Sequence, residues 1–125
     1  MEINKLIKRL NEASGPERGI DNHLAILIGY RRESVNDPDA GVVVKWFNPI
    51  GEEIKVVPAF TKSIECAMSL AEHLLGSGQV GAFLLTAEGA SASFDQGRPV
   101  IGASPPIAIC LAAIEAAVIT KKLGV

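Results

Sequence analysis

The segment ASPPIAICLAAIEAAVI, Ala103 to Ile119, constrains the fold more than any other part of the chain. Two prolines lead into a nearly unbroken apolar run that holds a single charge, Glu115. The run falls short of the roughly 18 apolar residues that a membrane span requires, so it reads as a buried helix. Ser104 is the expected N-cap. Pro105 and Pro106 fit the first helical positions, where an N–H group would have no intrahelical partner. Ile107, Leu111, Ile114 and Val118 form one stripe, while Ala108, Ile109, Ala112, Ala116 and Ile119 cover much of the remaining surface. A helix that is apolar nearly all round must be covered on more than one side. A sheet can cover one side, and the N-terminal helices or a second copy of the chain must cover the other. The small side chains permit close approach. Ala108, Ala112, Ala116 and Ile119 are therefore the expected oligomer interface, in a homo-oligomer whose simplest form is a two-fold dimer.

A chain of 125 residues is expected to form one domain, residues 1–125, with a real core. Hydrophobic residues make up 48% and charged residues 21%, which argues against wholesale disorder. The formal net charge is −2, with no block of either sign, so phosphate-driven nucleic-acid binding has no compositional support. The N-terminus, MEINKLIKRLNEASG, lacks the apolar core of a secretory signal. Cys66 and Cys110 both fall in apolar helical patterns and make no disulfide framework. Reduced, buried cysteines and a cytoplasmic location are expected, with no membrane association.

Ile3, Leu6, Ile7 and Leu10 mark a first amphipathic helix. Ile20, Leu24, Leu27 and Ile28 mark a second, with Pro16 in its first turn, capping-box spacing from Ser14 to Glu17, and Gly29 at its end. RRESVNDPDAG then reads as a polar, mobile loop. VVVKWF (42–47) and EIKVV (53–57) read as a hairpin with one face partly wet, Ile54 and Val56 sharing a face. Thr61 or Ser63 caps a third helix, which carries Ile64, Ala67, Met68, Ala71, Leu74 and Leu75 and stops at Gly76 to Gly78. QVGAFLLT, apolar on both faces, reads as a strand in the middle of a covered sheet. GASASFD alternates and pairs with it nearer an edge, and QGRPVIGAS reads as a loop. Lys121 and Lys122 suit the C-terminal end of the last helix. The expected fold is α+β, an α/β/α layered sandwich of order ααββαββα, with a mainly antiparallel sheet of two hairpins.

Two elements carry a family resemblance. In PAFTKSIECAMSLAEHLL, Pro58, Phe60, Thr61 and Ser63 approach the third helix. In GASPPIAICLAAIEA, Ser104, Pro105, Ala108, Cys110, Ala112 and Ala113 open the last one. Together with the N-terminal LIKRLNEASGPERGIDNHLAILIGY, these segments resemble the phage ABA-sandwich domain family, small proteins of phages and prophage-bearing bacteria. The resemblance covers most of the chain. It implies a layered α/β/α fold and a phage or prophage origin, and no established activity.

The chemistry-bearing residues form few constellations. His23, Cys66, His73 and Cys110 show no metal-binding spacing, so no metal site is expected. Ser69, Glu72 and His73 lie close on one helix, but no nucleophile elbow accompanies them and Ser69 is mid-helix. LLGSGQVG runs from helix to strand, the reverse of a phosphate cradle. FDQGRPVIGAS has the right order, and a ligand there would use Arg98, Ser104 and loop amides, since Pro105 and Pro106 remove two helix donors. Arg31, Arg32, Lys45 and Trp46 form a second candidate patch. Core packing is the main expected role of Trp46, and stacking of a base or planar ligand the sharper one.

The expected function is a non-enzymatic binding or interaction domain without a cofactor, whose partner is a host protein or a small nucleotide. The candidate ligand residues are Arg98, Ser104, Arg31, Arg32 and Trp46. One alternative is a nucleotide-processing enzyme with Asp95, Glu88 or His73 as acid or base, which requires two of these groups in one cleft. Another is a phage structural or assembly accessory protein.

Overall fold

The computed structural model describes residues 2–76, 81–87, 89–94 and 99–120. Its elements run α1 (Ile3–Glu12), α2 (Arg18–Leu27), β1 (Arg31–Asp37), β2 (Gly41–Phe47), β3 (Glu53–Ile54), α3 (Ile64–Leu75), β4 (Gly81–Thr86), β5 (Gly89–Phe94), β6 (Val100–Gly102) and α4 (Pro105–Ile119). The class is α+β with antiparallel strands, and both expected hairpins, β2–β3 and β4–β5, are present. Each gains a third strand. Among the described residues the strands form two separate sheets, ordered β1-β2-β3 and β4-β5-β6.

Helix α4 is the centre of the molecule. Every residue from Pro106 to Ile114 is buried, as are Ala116 and Ala117. The cover comes from the chain itself. The β4-β5-β6 sheet packs against α4 on one side, α3 is the single element that packs against it most extensively, and α1 adds a smaller contact. The buried partners are Ala67, Leu70, Ala71, Leu74 and Leu75 of α3, Leu6 and Leu10 of α1, and Ala90, Ala92 and Phe94 of β5. Ala108, Ala112 and Ala116 are thus sealed inside the chain and offer no surface to a second copy. Of the expected interface set, Ile119 alone is exposed, at 54%.

The sheet meets α4 at very short range through Gly102. A Cβ at that position would lie 2.8 Å from the backbone nitrogen of Ala108. Only glycine lets β6 run this close to the helix backbone. The three residues of β6 lie in a segment whose sequence shows turn chemistry and too little alternation to betray a strand.

The expected polar loop after α2 is in fact β1, paired along its whole length with β2 from Arg31↔Phe47 to Asp37↔Gly41. Four of its first residues, Arg31 to Ser34, are exposed, so neither face carries an apolar signal. The hairpin turn is local. The Asp37 carboxylate accepts the N–H groups of Asp39 (2.8 Å) and Ala40 (3.0 Å), and Gly41 follows at φ +77°. A three-residue connection closing on a left-handed glycine is a common hairpin form. The two backbone donors also pull the Asp37 carboxyl below its ordinary pKa.

Three further expectations need correction. β3 stops at Ile54, the chain bends, and Val57 is buried while Val56 is 69% exposed. β4 is an edge strand and β5 the central one, the reverse of the order read from apolar content. The helix starts also differ. α2 begins at Arg18, and the Ser14–Glu17 capping box does not form: the Glu17 N–H that Ser14 would accept goes to the hydroxyl of Thr61 at 2.9 Å, and the Glu17 carboxylate accepts from Arg9 at 2.6 Å. Ser104 occupies the N-cap position of α4 but makes no capping bond, since the prolines at N1 and N2 leave few donors within its reach. At α3 the expectation holds: Ser63 Oγ accepts the Cys66 N–H at 3.2 Å, and Gly76 ends the helix at φ +87°.

Candidate functional site

The first sheet positions Arg31, Arg32 and Trp46. Consecutive residues of a strand point to opposite faces, so Arg31 and Arg32 part company. Arg31 donates to the Glu33 carboxylate at 2.9 Å, and its guanidinium lies 5.5 Å from the centre of the Phe47 ring. Lys45 and Glu53 pair on the same face at 3.2 Å. The charges on that face are engaged with one another.

The other face is different. Arg32 stands directly across from Trp46, and Trp46 from Ile54. Along the same face run Ser34, Asn36, Val44 and Val42, with Val44 48% and Val42 71% exposed. Trp46 and Ile54 are half-buried and pack on the core, which anchors one end of the sheet. Among the described residues no carboxylate pairs with Arg32, and no hydrogen bond of its side chain occurs. An exposed guanidinium beside an indole, on a face otherwise short of charge, can pair with an anion while the ring stacks on a planar group.

Ser104 lies elsewhere, between β6 and α4. Its Oγ is shielded from solvent and has no hydrogen-bond partner among the described residues. Arg98, Asp95, Glu88, Lys121 and Lys122 lie outside the described residues. The structure therefore joins Arg32 to Trp46, sets Arg31 on the opposite face, and leaves Ser104 at the N-cap of α4.

The remaining polar groups are engaged structurally. His73 is exposed, and its Nδ1 donates to the Ser69 carbonyl at 2.9 Å, so the serine hydroxyl is not its partner. Cys66 and Cys110 are free thiols, and no cluster of metal-binding side chains occurs among the described residues. Burial, then the positive charge of the chain's amino terminus and of Arg9, pulls His23 below its usual pKa. Burial first, then the nearby Asp21 carboxylate, pushes the Cys110 thiol far up, and Cys110 Sγ donates to the Phe60 carbonyl at 3.4 Å. Such a thiol is a small apolar side chain, not a nucleophile.

Sequence reasoning missed the most developed polar constellation, centred on Asp21. This carboxylate is 1% exposed. One oxygen accepts the N–H and the hydroxyl of Thr61, each at 2.8 Å, and the other accepts Arg18 at 2.8 Å. The second arm of Arg18 donates to the Val57 carbonyl at 2.7 Å. Glu17 completes the group, since its backbone donates to Thr61 and its side chain accepts Arg9 at 2.6 Å. The lone pairs of Asp21 are committed to internal donors away from water, which makes this a clamp between α2 and the approach to α3, not a reactive site. The sequence signal was Thr61 inside the Pro58–Ser63 element, read there only as a helix cap.

No family model matches the chain, and no curated protein or solved structure matches it.

Proposed function

We propose that this chain is a small non-catalytic binding domain of phage or prophage type, working in the cytoplasm of a bacterial host, and that it binds a planar anion of the nucleotide class on the Arg32–Trp46 face. The observation that carries the reading is an exposed, uncommitted Arg32 directly across the strand pair from the half-buried Trp46. The guanidinium suits a phosphate and the indole suits a base. The phage origin rests on the sequence resemblance alone. Sequestration of a small nucleotide signal in host–phage conflict fits a domain of this size.

The test is calorimetric titration with a panel of nucleotides, read in parallel by the fluorescence of Trp46, the single tryptophan of the chain. Saturable heat with a change in emission is expected for at least one member. Absence of heat across the panel would sink the nucleotide reading and favour a host protein docking on the same face, where Val42 and Val44 are exposed.

A further inference from the structure

The second sheet ends on β4, whose outer edge pairs with no strand among the described residues. Its composition is unusual for an edge. Residues Gly81 to Thr86 contain no charge and no proline, and their six consecutive pairs with β5 leave no bulge. Natural edge strands normally carry at least one of these devices against strand addition. β4 instead exposes a leucine on each face. Leu84, opposite Ser91, is 69% exposed on the face away from α4. Leu85, opposite the buried Ala90, is 78% exposed where it overhangs the helix side. Leu84 is continued across the sheet by Ser91 and then Ile101, itself 62% exposed.

We propose that β4 pairs antiparallel with β4 of a second copy of this chain, about a two-fold axis normal to the sheet, giving a continuous six-stranded sheet. A free strand edge offers a row of N–H and C=O groups that a second strand can pair with in place of water. This strand is complementary to itself. A two-fold normal to the sheet keeps each face on its own side, so residues of equal parity meet. The register centred on Leu84 sets it beside Leu84 of the second copy, and the outer face then reads Ile101, Ser91, Leu84, Leu84, Ser91, Ile101. No like charges oppose each other, because the strand has none. The isologous interface uses the sheet edge, in place of the alanines of α4 that are sealed in the core. It lies on the other sheet from the Arg32–Trp46 face, so this proposal and the binding reading fail separately.

Light scattering after size exclusion should give twice the chain mass of 13.2 kDa. Leu84→Lys, which places two ammonium groups against each other at the axis, should return the mass to 13.2 kDa with unchanged circular dichroism and unchanged nucleotide titration. Ile26→Lys, at a half-exposed apolar position on α2, should leave the dimer intact. Leu84→Cys should form a disulfide-linked dimer on mild oxidation, and the parent chain, with Cys66 half-buried and Cys110 buried, should not. A parent chain that runs as a monomer, or a dimer that Leu84→Lys leaves intact, overturns the proposal. A dimer in which Leu84→Cys does not cross-link overturns the Leu84-centred register.

Discussion

Asp21 and Thr61 lie 40 residues apart in the chain and are joined by two hydrogen bonds of 2.8 Å, one from the threonine backbone and one from its hydroxyl, with both residues cut off from solvent. The pair fastens the start of α2 to the segment that leads into α3. Arg18, half-exposed on the outer side, balances the carboxylate charge. The arrangement resembles a helix cap supplied from a distant segment, since the same hydroxyl takes the Glu17 N–H.

Asp21→Ala strips acceptors from buried donors on Thr61, and an unsatisfied buried donor costs roughly 1–3 kcal/mol. The variant should show a lower urea midpoint with an unchanged slope. Thr61→Val, which keeps the shape and removes the hydroxyl, should lose about 1–3 kcal/mol. Thr61→Ser should recover most of that loss, because it restores both bonds of the hydroxyl. Equal stability of the valine and serine variants would remove the hydroxyl from the account.

Gly102→Ala should destabilise although alanine is the smallest change available. The added methyl would sit within 2.8 Å of the Ala108 nitrogen, so β6 or α4 must shift. Overpacking of this kind costs about 1–3 kcal/mol. Gly15, around which a Cβ would meet nothing within 4 Å, is the matched control, and Gly15→Ala should fall within about 0.5 kcal/mol of the parent in thermal denaturation.

Cys110 should resist thiol reagents in the folded chain and react on unfolding, with Cys66 the faster of the two under native conditions. The folded thiol keeps its proton where the unfolded one, with an ordinary pKa of 9.0, has lost it. The unfolded state then binds fewer protons, so stability falls as pH rises above about 9. The slope approaches about 1.4 kcal/mol per pH unit for one such group. Denaturation curves at neutral and alkaline pH should show this component in the parent and not in Cys110→Ala.

Arg32→Ala should leave stability within about 0.5 kcal/mol, as for an exposed residue without internal partners. It should weaken nucleotide binding at least about tenfold, or ~1.4 kcal/mol. Arg31→Ala, on the opposite face and already paired with Glu33, should leave the titration unchanged. Equal effects of the two substitutions would show that general charge, not the Arg32–Trp46 geometry, governs binding.

The buried helix α4, the cap at Ser63, the stop at Gly76 and the hairpins β2–β3 and β4–β5 were all determined by the sequence itself. Each rests on a local signal: apolar girth, a side-chain acceptor three residues before its donor, a glycine at positive φ, or strand alternation on either side of turn residues. β1 escaped detection because its first four residues face water on both sides, so no period of two is imprinted on it. β6 is too short to carry a pattern. Of the candidate residues, the strand register between Arg32 and Trp46 was set by β1, and so stayed invisible with it. Tertiary structure alone decided that β4 lies at an edge, that Asp21 meets Thr61, and that α3, α1 and the second sheet, not another copy, cover Ala108, Ala112 and Ala116. Local composition states how much burial a segment requires. Which surface supplies that burial is settled by contacts distant in the chain, and these depend on the packing of the whole domain.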